Sequence, residues 1–176
     1  IDGTEGAYLM GIAAASASET GKVGLVAGWQ AWLAQTWAAA FEAGARSVDP
    51  NIEVSIGWVE PTGGMQFLNR TNAYAVAADM YEEGIDVLFN VAGDAGEGIA
   101  SAAVDHRDAT DQQVWVIGVD ADQGLLSGDT SRPLILTSMI KRFDVAVEES
   151  IRAWLTDEGG SVTTFDLSNG GIEYST

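Results

Sequence analysis

Short apolar runs alternate along the chain with longer stretches in which apolar residues recur at helical spacing. The short runs predict strands at Val23–Ala27, Ile52–Val59, Val87–Val91, Val114–Val119 and Leu134–Met139. The longer stretches predict helices at Tyr8–Ala17, about Ala31–Arg46, Asn69–Glu83, from the glycines near 96 to about Val104, and about Phe143–Leu155. This alternation is typical of a mostly parallel sheet covered on both faces. The pattern therefore predicts an α/β fold, a three-layer α/β/α sandwich with a doubly wound sheet.

Turn residues separate these elements. Gly21 ends the first helix, and Pro50 disfavours a helical conformation at Asp49. We expect polar loops at 106–113 and in the glycine-rich segment after Leu155. The 176 residues contain no internal repeat or low-complexity tract, so we expect one domain that spans residues 1–176.

Polar and aromatic residues follow several of the predicted strands, where ligands of open parallel sheets bind. The first strand runs into Gly28 and Trp29, and the third runs into Gly93 and Asp94. The apolar run at 116–119 is followed directly by Asp120 and Asp122. A carboxylate in that place could bind a metal, act as a catalytic base, or accept hydrogen bonds from a polar ligand. Further aromatic residues lie near the first two strand ends, at Trp32, Trp37, Trp58 and Phe67.

The composition excludes several classes of function. Twenty-six acidic and eight basic residues give a formal charge of −18, which repels nucleic acid and anionic membranes. The acidic residues are dispersed, and the only lysines are Lys22 and Lys141. This composition predicts a halophilic source, with an ordinary acidic protein as the alternative. The absence of cysteine excludes disulfides and thiolate sites, and no apolar run is long enough to span a bilayer.

Enzymatic and metal chemistry find little support among the motifs. The glycine fingerprint G-x-G-x-x-G of dinucleotide sites does not follow the first strand. No third ligand accompanies Asp120 and Asp122 at metal-binding spacing, so we expect no metal and no cofactor. His106 is the only histidine, and its charged surroundings are typical of solvated surface. In the stretch "GDAGEG", Asp94 and Glu97 would repel a phosphate from the helix start.

Several segments together resemble one known family. They are "EGAYLMGIAAA", "GKVGLVAGW", "FEAGARSVDPNIEV", "YEEGIDVLFNVAGDAGEG", "VWVIGVDADQ" and "LTSMIKRFDVAVEESI". These segments resemble the second lobe of the basic membrane protein family, purine-nucleoside-binding lipoproteins of the type I periplasmic-binding-protein class that serve ABC importers. The resemblance implies a non-enzymatic, extracytoplasmic protein that works with ABC membrane subunits. It also implies that the first lobe and the lipoprotein anchor are not part of this chain.

The resemblance also implies roles for individual residues. Phe67 resembles the family aromatic that stacks on the base, and Asp120 and Lys141 resemble the aspartate and lysine that hold the ribose. Gly93 matches the family's glycine-rich turn, whereas Asp94 stands where the family usually has glycine. Trp29 lies at a strand end near the hinge of the family's fold, where we expect it to close over the pocket.

A carboxylate suits a pair of sugar hydroxyls, because it can accept hydrogen bonds from both of them. We therefore expect Asp120 and Lys141 to point into one cleft with Phe67 on its rim, and Asp122 to shape the loop. Two alternatives share the fold: the effector-binding domain of a transcription regulator, and a small doubly wound enzyme that uses Asp120 or Asp122 as a base.

Overall fold

Six helices and six strands make up the computed structural model, which describes residues 1–60, 64–156 and 162–175. The helices are α1 Thr4–Ala17, α2 Trp32–Val48, α3 Arg70–Glu82, α4 Gly96–Thr110, the one-turn α5 Gln123–Leu126, and α6 Phe143–Leu155. The strands are β1 Lys22–Ala27, β2 Glu53–Trp58, β3 Val87–Val91, β4 Trp115–Asp120, β5 Ile135–Lys141 and β6 Ile172–Tyr174. Short 3₁₀ turns lie at Gly93–Ala95 and Arg132–Leu134.

The six strands form one sheet in the order β2-β1-β3-β4-β5-β6. All neighbouring strands are parallel except β6, which pairs antiparallel with β5. The central strands are buried on both faces, which explains why they form continuous apolar runs rather than alternating ones. The prediction of a mostly parallel α/β sheet is confirmed.

Each face of the sheet is covered by a pair of helices. Helices α1 and α2 pack on one face around a buried core that includes Phe41 and Phe89, and α3 and α4 pack on the other. Gly11 and Gly44 let α1 and α2 approach closely, because a Cβ at either position would clash with backbone of the opposite helix. These helix pairs leave the carboxyl ends of the central strands free for a binding site.

Two parts of the chain differ from the sequence-based prediction. Helix α4 continues to Thr110, so the expected loop at 106–113 is helical over much of its length. The helix ends at Asp111, whose positive φ of 59° provides a left-handed cap. The polar segment after Leu155 contains β6, which the sequence pattern does not predict because the strand is short and buries only Ile172 in the core.

Helix α6 lies exposed at the end of β5. None of its residues is buried, and five large apolar side chains on it are more than half exposed: Phe143, Val147, Ile151, Trp154 and Leu155. Arg142 anchors its first turn by hydrogen bonds to Asp144 and to Glu173 of β6. The hydrogen bond from Arg142 lowers the pKa of Asp144 to about 2. An amphipathic helix with an open apolar face is typical of a surface that packs against another body.

None of the helices in the described parts of the chain has the length and apolar character that a bilayer crossing requires.

Candidate functional site

A cavity of about 600 Å³ opens at the carboxyl ends of β1, β3, β4 and β5. Its size lies within the range of small-molecule sites. Its walls are mainly aromatic and aliphatic, with a few polar groups among them. The walls contain all six residues singled out from the sequence: Trp29, Phe67, Gly93, Asp94, Asp120 and Lys141. The structure therefore brings these six residues together in one place.

An ion pair between Asp120 and Lys141 lies in the wall of this cavity. Lys141 Nζ lies 2.6 Å from Asp120 Oδ1, and the lysine side chain is only 19% exposed. Among the described residues, no donor forms a hydrogen bond of good geometry with the buried Asp120 Oδ1. The contact with Lys141 Nζ is short, but its angle is not that of an ideal hydrogen bond. The aspartate side chain is 43% exposed at the cavity, which leaves the carboxylate able to accept hydrogen bonds from a ligand.

The backbone at Asp120 has an unusual conformation. Its φ is 71°, in the left-handed region that non-glycine residues rarely adopt. The N–H of Ala121 donates to the carbonyl of Val119 at 2.9 Å, which closes a tight turn around Asp120. Such a conformation costs about 1–2 kcal/mol and is concentrated at functional sites. The turn ends β4 and places the carboxylate at the cavity.

Asp122 has a different role from Asp120. Its carboxylate accepts a hydrogen bond from the N–H of Leu125 at 3.3 Å and caps α5. It is not among the residues of the cavity walls. This geometry agrees with the expectation that Asp122 shapes the loop.

Phe67 lies between the loops that follow β1 and β3. Its carbonyl accepts a hydrogen bond from the N–H of Ala95 at 2.9 Å. A Cβ at Gly28 would come within 2.7 Å of the Phe67 ring, so this close approach requires a glycine. Gly93, with φ of 55°, lies against the same ring. The ring is held from two sides and remains 46% exposed, so a flat ligand has access to it.

Asp94 lies beside this ring, at the N-terminal side of α4. A negative charge is favourable there, because the helix dipole presents its positive end. Its neighbour Glu97 pairs with Arg70 at 2.6 Å, whereas the carboxylate of Asp94 forms no ion pair with any described residue. Asp94 therefore adds an uncompensated negative charge to the cavity wall.

Two tryptophans with very different exposure also line the cavity. Trp32, at the start of α2, is largely exposed at the mouth of the cavity. Trp29 is less exposed than Trp32. Trp37, five residues further along α2, is buried, and Lys141 Nζ lies 4.7 Å from the centre of its ring. The sequence pattern indicates an aromatic cluster here but not which ring would contact the lysine.

A buried polar network supports the cavity from below. The side chain of Asn90, fully buried in β3, accepts a hydrogen bond from the N–H of Ala92 and donates to Gly93 O and Gln123 Oε1. Gln123 N in turn donates to Ser138 Oγ on β5. These bonds connect the loops that carry Gly93 and Asp120. Sequence reasoning missed this network, although a lone asparagine within an apolar strand is a usable signal for it.

Alternative chemistries receive no support from the described residues. No group of three or more His, Cys, Asp or Glu side chains among them is arranged to hold a metal ion. His106 lies on α4, where its ring is 5.5 Å from that of Tyr81, and it is not part of the cavity walls.

Comparison with known proteins gives a consistent match over nearly the whole chain. A family model described as "ABC transporter substrate-binding protein PnrA-like" matches residues 2–176. The ABC transporter nucleoside-binding protein BmpA of Lactococcus lactis subsp. cremoris is 33% identical over 178 residues, which are 96% of this chain and 49% of that protein. Basic membrane protein D of Borreliella burgdorferi is 30% identical over 175 residues, covering 96% of this chain and 46% of that protein. The chain thus spans about half the length of these curated relatives.

Solved structures match the fold to a similar extent. An ABC transporter solute-binding protein from Aeropyrum pernix K1 superposes with a TM-score of 0.83 at 25% identity, covering 99% of this chain and 48% of that one. A transcriptional activator of the comK gene from Bacillus halodurans superposes with a TM-score of 0.78 at 24% identity, covering 98% of this chain and 55% of that one. The second likeness shows the fold alone.

Proposed function

Because the chain belongs to the PnrA-like family of ABC transporter substrate-binding proteins, we propose that its cavity is one half of a purine-nucleoside site. The observation that supports this most is the placement of an ion-paired carboxylate and a half-exposed aromatic ring in one cavity. A nucleoside has a planar aromatic base and a sugar with two adjacent hydroxyls, so these two features complement its two parts.

Asp120 and Lys141 would hold the ribose. The 2′ and 3′ hydroxyls present two donors, and an ionised carboxylate can accept both with charge-assisted hydrogen bonds. Lys141 compensates the charge of Asp120, which would otherwise make enclosure of the carboxylate costly. The Asp120 side chain is 43% exposed at the cavity, so its carboxylate remains accessible to ligand hydroxyls while Oδ1 contacts the lysine, and this supports the role.

Phe67, Trp29 and Asp94 would contact the base. The ring of Phe67 offers a flat face at the cavity, and the exposed ring of Trp29 lies at its edge. Face-to-face contact between a base and an aromatic ring fixes the plane of the ligand. Asp94, as an acceptor in the wall, suits a base edge that presents N–H donors.

A second α/β lobe would close the cavity. The mouth is lined by exposed apolar residues such as Trp32 and Leu68, and α6 exposes an apolar face nearby in sequence to Lys141. Apolar surface of this extent is typical of a face that packs against another body. We propose that the second lobe corresponds to the part of the relatives' length that this chain does not span. The complete protein would be an extracytoplasmic lipoprotein that delivers nucleosides to ABC membrane subunits.

Saturation-transfer NMR on this chain tests the proposal, because the method detects the weak binding expected of an open half-site. With millimolar ligand, guanosine and adenosine should receive saturation, and free ribose should receive much less. Asp120→Asn should reduce the signal, whereas Asp122→Asn should not. Equal signals from a purine nucleoside, a pyrimidine nucleoside and free ribose, or no signal from any of them, would contradict the proposed function.

A further inference from the structure

We propose that Trp37 is a positioning residue whose indole face holds the ammonium of Lys141 in place beside Asp120. The inference deepens the proposed function, because it concerns the ion pair that would receive the ribose. Trp37 lines the cavity but is only 3% exposed, so it would act on the ligand mainly through Lys141. Its role is to keep the ion pair in one geometry before a ligand arrives.

The contact has the geometry and burial of a strong cation–π interaction. Lys141 Nζ lies 4.7 Å from the ring centre of Trp37, within the distance of about 6 Å at which such pairs attract. Trp37 is 3% exposed, so little water screens the contact on its side. Tryptophan is also the aromatic residue that attracts cations most strongly. The ammonium is therefore held from two sides, by the carboxylate of Asp120 and by the indole face.

The indole ring is fixed by packing rather than by a hydrogen bond. A Cβ at Gly3 would clash with the six-membered part of the Trp37 ring, so the backbone before α1 lies directly against it. The buried Nε1–H of Trp37 has no hydrogen-bond partner among the described residues. A buried donor without a partner is costly and rare in proteins. The position of this ring is thus set by packing, against Gly3 on one side and within the buried core to which Trp37 belongs.

A fixed ammonium matters because a lysine side chain is flexible. Its four-carbon stem has many rotamers, and ordering them when a ligand binds lowers affinity. A lysine that is already held beside Asp120 avoids part of this loss. The Lys141 ammonium also compensates the negative charge of Asp120 while no ligand is bound.

The chain offers a direct spectroscopic test, because Lys22 and Lys141 are its only lysines. Protons that lie over the face of an aromatic ring are shifted upfield. In the full chain labelled at lysine, the Hε signals of Lys141 should lie upfield of those of Lys22, which pairs with Glu53 and serves as the internal control. Trp37→Leu should abolish this upfield shift, and Trp37→Phe should keep part of it. Signals of Lys22 should not change in either variant.

A second variant perturbs the ring without changing it. Gly3→Ala would displace the Trp37 ring, and should reduce the upfield shift of Lys141 in a protein that still contains the tryptophan. This variant also covers the case in which Trp37→Leu fails to fold. Unshifted Lys141 signals in the wild type, or an upfield shift that persists in Trp37→Leu, would overturn the proposal.

Titration with guanosine in the same experiment separates this proposal from the proposed function. We expect Trp37→Leu to weaken guanosine binding about tenfold, within the range of about 2- to 30-fold that corresponds to a cation–π contact, with Trp37→Phe in between. If guanosine leaves the wild-type spectrum unchanged while the ring shift is present, the nucleoside assignment fails and the positioning contact stands. Wild-type affinity in a Trp37→Leu protein that has lost the ring shift would overturn the positioning role.

Discussion

Asp120 and Lys141 lie at the carboxyl ends of two neighbouring parallel strands, with Lys141 Nζ 2.6 Å from Asp120 Oδ1. The strand register pairs Asp120 with Ile140, so the lysine lies one residue further along. Both side chains line the same cavity as Phe67 and Asp94. The cavity therefore combines one compensated carboxylate, one uncompensated carboxylate and an aromatic face, and each of these can be tested separately.

Replacing the aromatic face should weaken purine binding. We expect Phe67→Leu to reduce guanosine affinity about five- to tenfold, because it removes the flat ring and a stacking contact of about 1 kcal/mol. Binding of free ribose should not change. The melting temperature should change little, because the ring is about half exposed. NMR titration and thermal melts measure both effects.

Met65→Ala is the matched control for this change, since Met65 is exposed and not among the residues of the cavity walls. A Phe67→Leu protein with wild-type affinity for guanosine would show that the base does not stack on this ring.

Asp94 should determine which purine binds best. The guanine edge presents N1–H and a 2-amino group, inosine lacks the amino group, and adenosine presents an acceptor at N1. We therefore expect guanosine to bind at least tenfold more tightly than inosine, since a hydrogen bond to a charged group contributes about 1.5–3 kcal/mol. Asp94→Asn should reduce this preference, as measured by competition titrations.

Glu97→Gln serves as the control for charge, because Glu97 pairs with Arg70 and is not part of the cavity walls. If Asp94→Asn and the wild type discriminate equally between guanosine and inosine, the carboxylate does not contact the base edge.

The sequence predicts most of the fold because the central strands are continuous apolar runs. The bounds of β3 and α6 agree with the predicted ones, and the other predicted elements differ by up to about six residues at an end, whereas the one-turn α5 is not predicted. The end of α4 was misplaced because its last turns are polar on the solvent side. Strand β6 was missed because three residues carry too weak a pattern. The predicted family is confirmed, because the model of the PnrA-like ABC transporter substrate-binding proteins matches residues 2–176.

The site was predictable where it depends on strand ends, and not where it depends on contacts between distant elements. Asp120 and Lys141 each follow an apolar run, so the parallel sheet places them together. The contact of Lys141 with Trp37 depends on how α2 packs against the sheet, which no local pattern encodes. The hydrogen bonds from Asn90 to Gly93 and Gln123 likewise join two loops that are distant in sequence, so no local pattern predicts them.

The acidic surface should make stability depend on salt. A formal charge of −18 produces self-repulsion, and the screening length falls from about 10 Å at 0.1 M salt to about 3 Å at 1 M. We expect the melting temperature to rise steeply between low and molar KCl. Sucrose at equal osmolality should stabilise the protein less, because it does not screen charge. A flat or falling curve in KCl would remove the inference of a halophilic source.

The apolar face of α6 should promote association of the lone chain. Val147→Lys together with Ile151→Lys should reduce self-association and the binding of a hydrophobic dye, without lowering the melting temperature, because both side chains are more than half exposed. Light scattering and dye fluorescence measure these effects. Glu148→Gln with Glu149→Gln makes the same change in net charge as the first variant, but on polar positions of α6, and should leave dye binding unchanged. Loss of cooperative melting in the first variant alone would mean that the face is buried in the lone chain.

The central claim, that Asp120 holds the ribose of a purine nucleoside, is tested most directly by a cycle with guanosine, 2′-deoxyguanosine, the wild type and Asp120→Asn. Asparagine tolerates positive φ, so this variant changes the charge while keeping the turn at φ of 71°. We expect Asp120→Asn to weaken guanosine binding by about 1.5–3 kcal/mol, and removal of the 2′ hydroxyl to cost the wild type more than the variant. An equal loss from 2′-deoxyguanosine in both proteins, or unchanged guanosine affinity in Asp120→Asn, would contradict the claim.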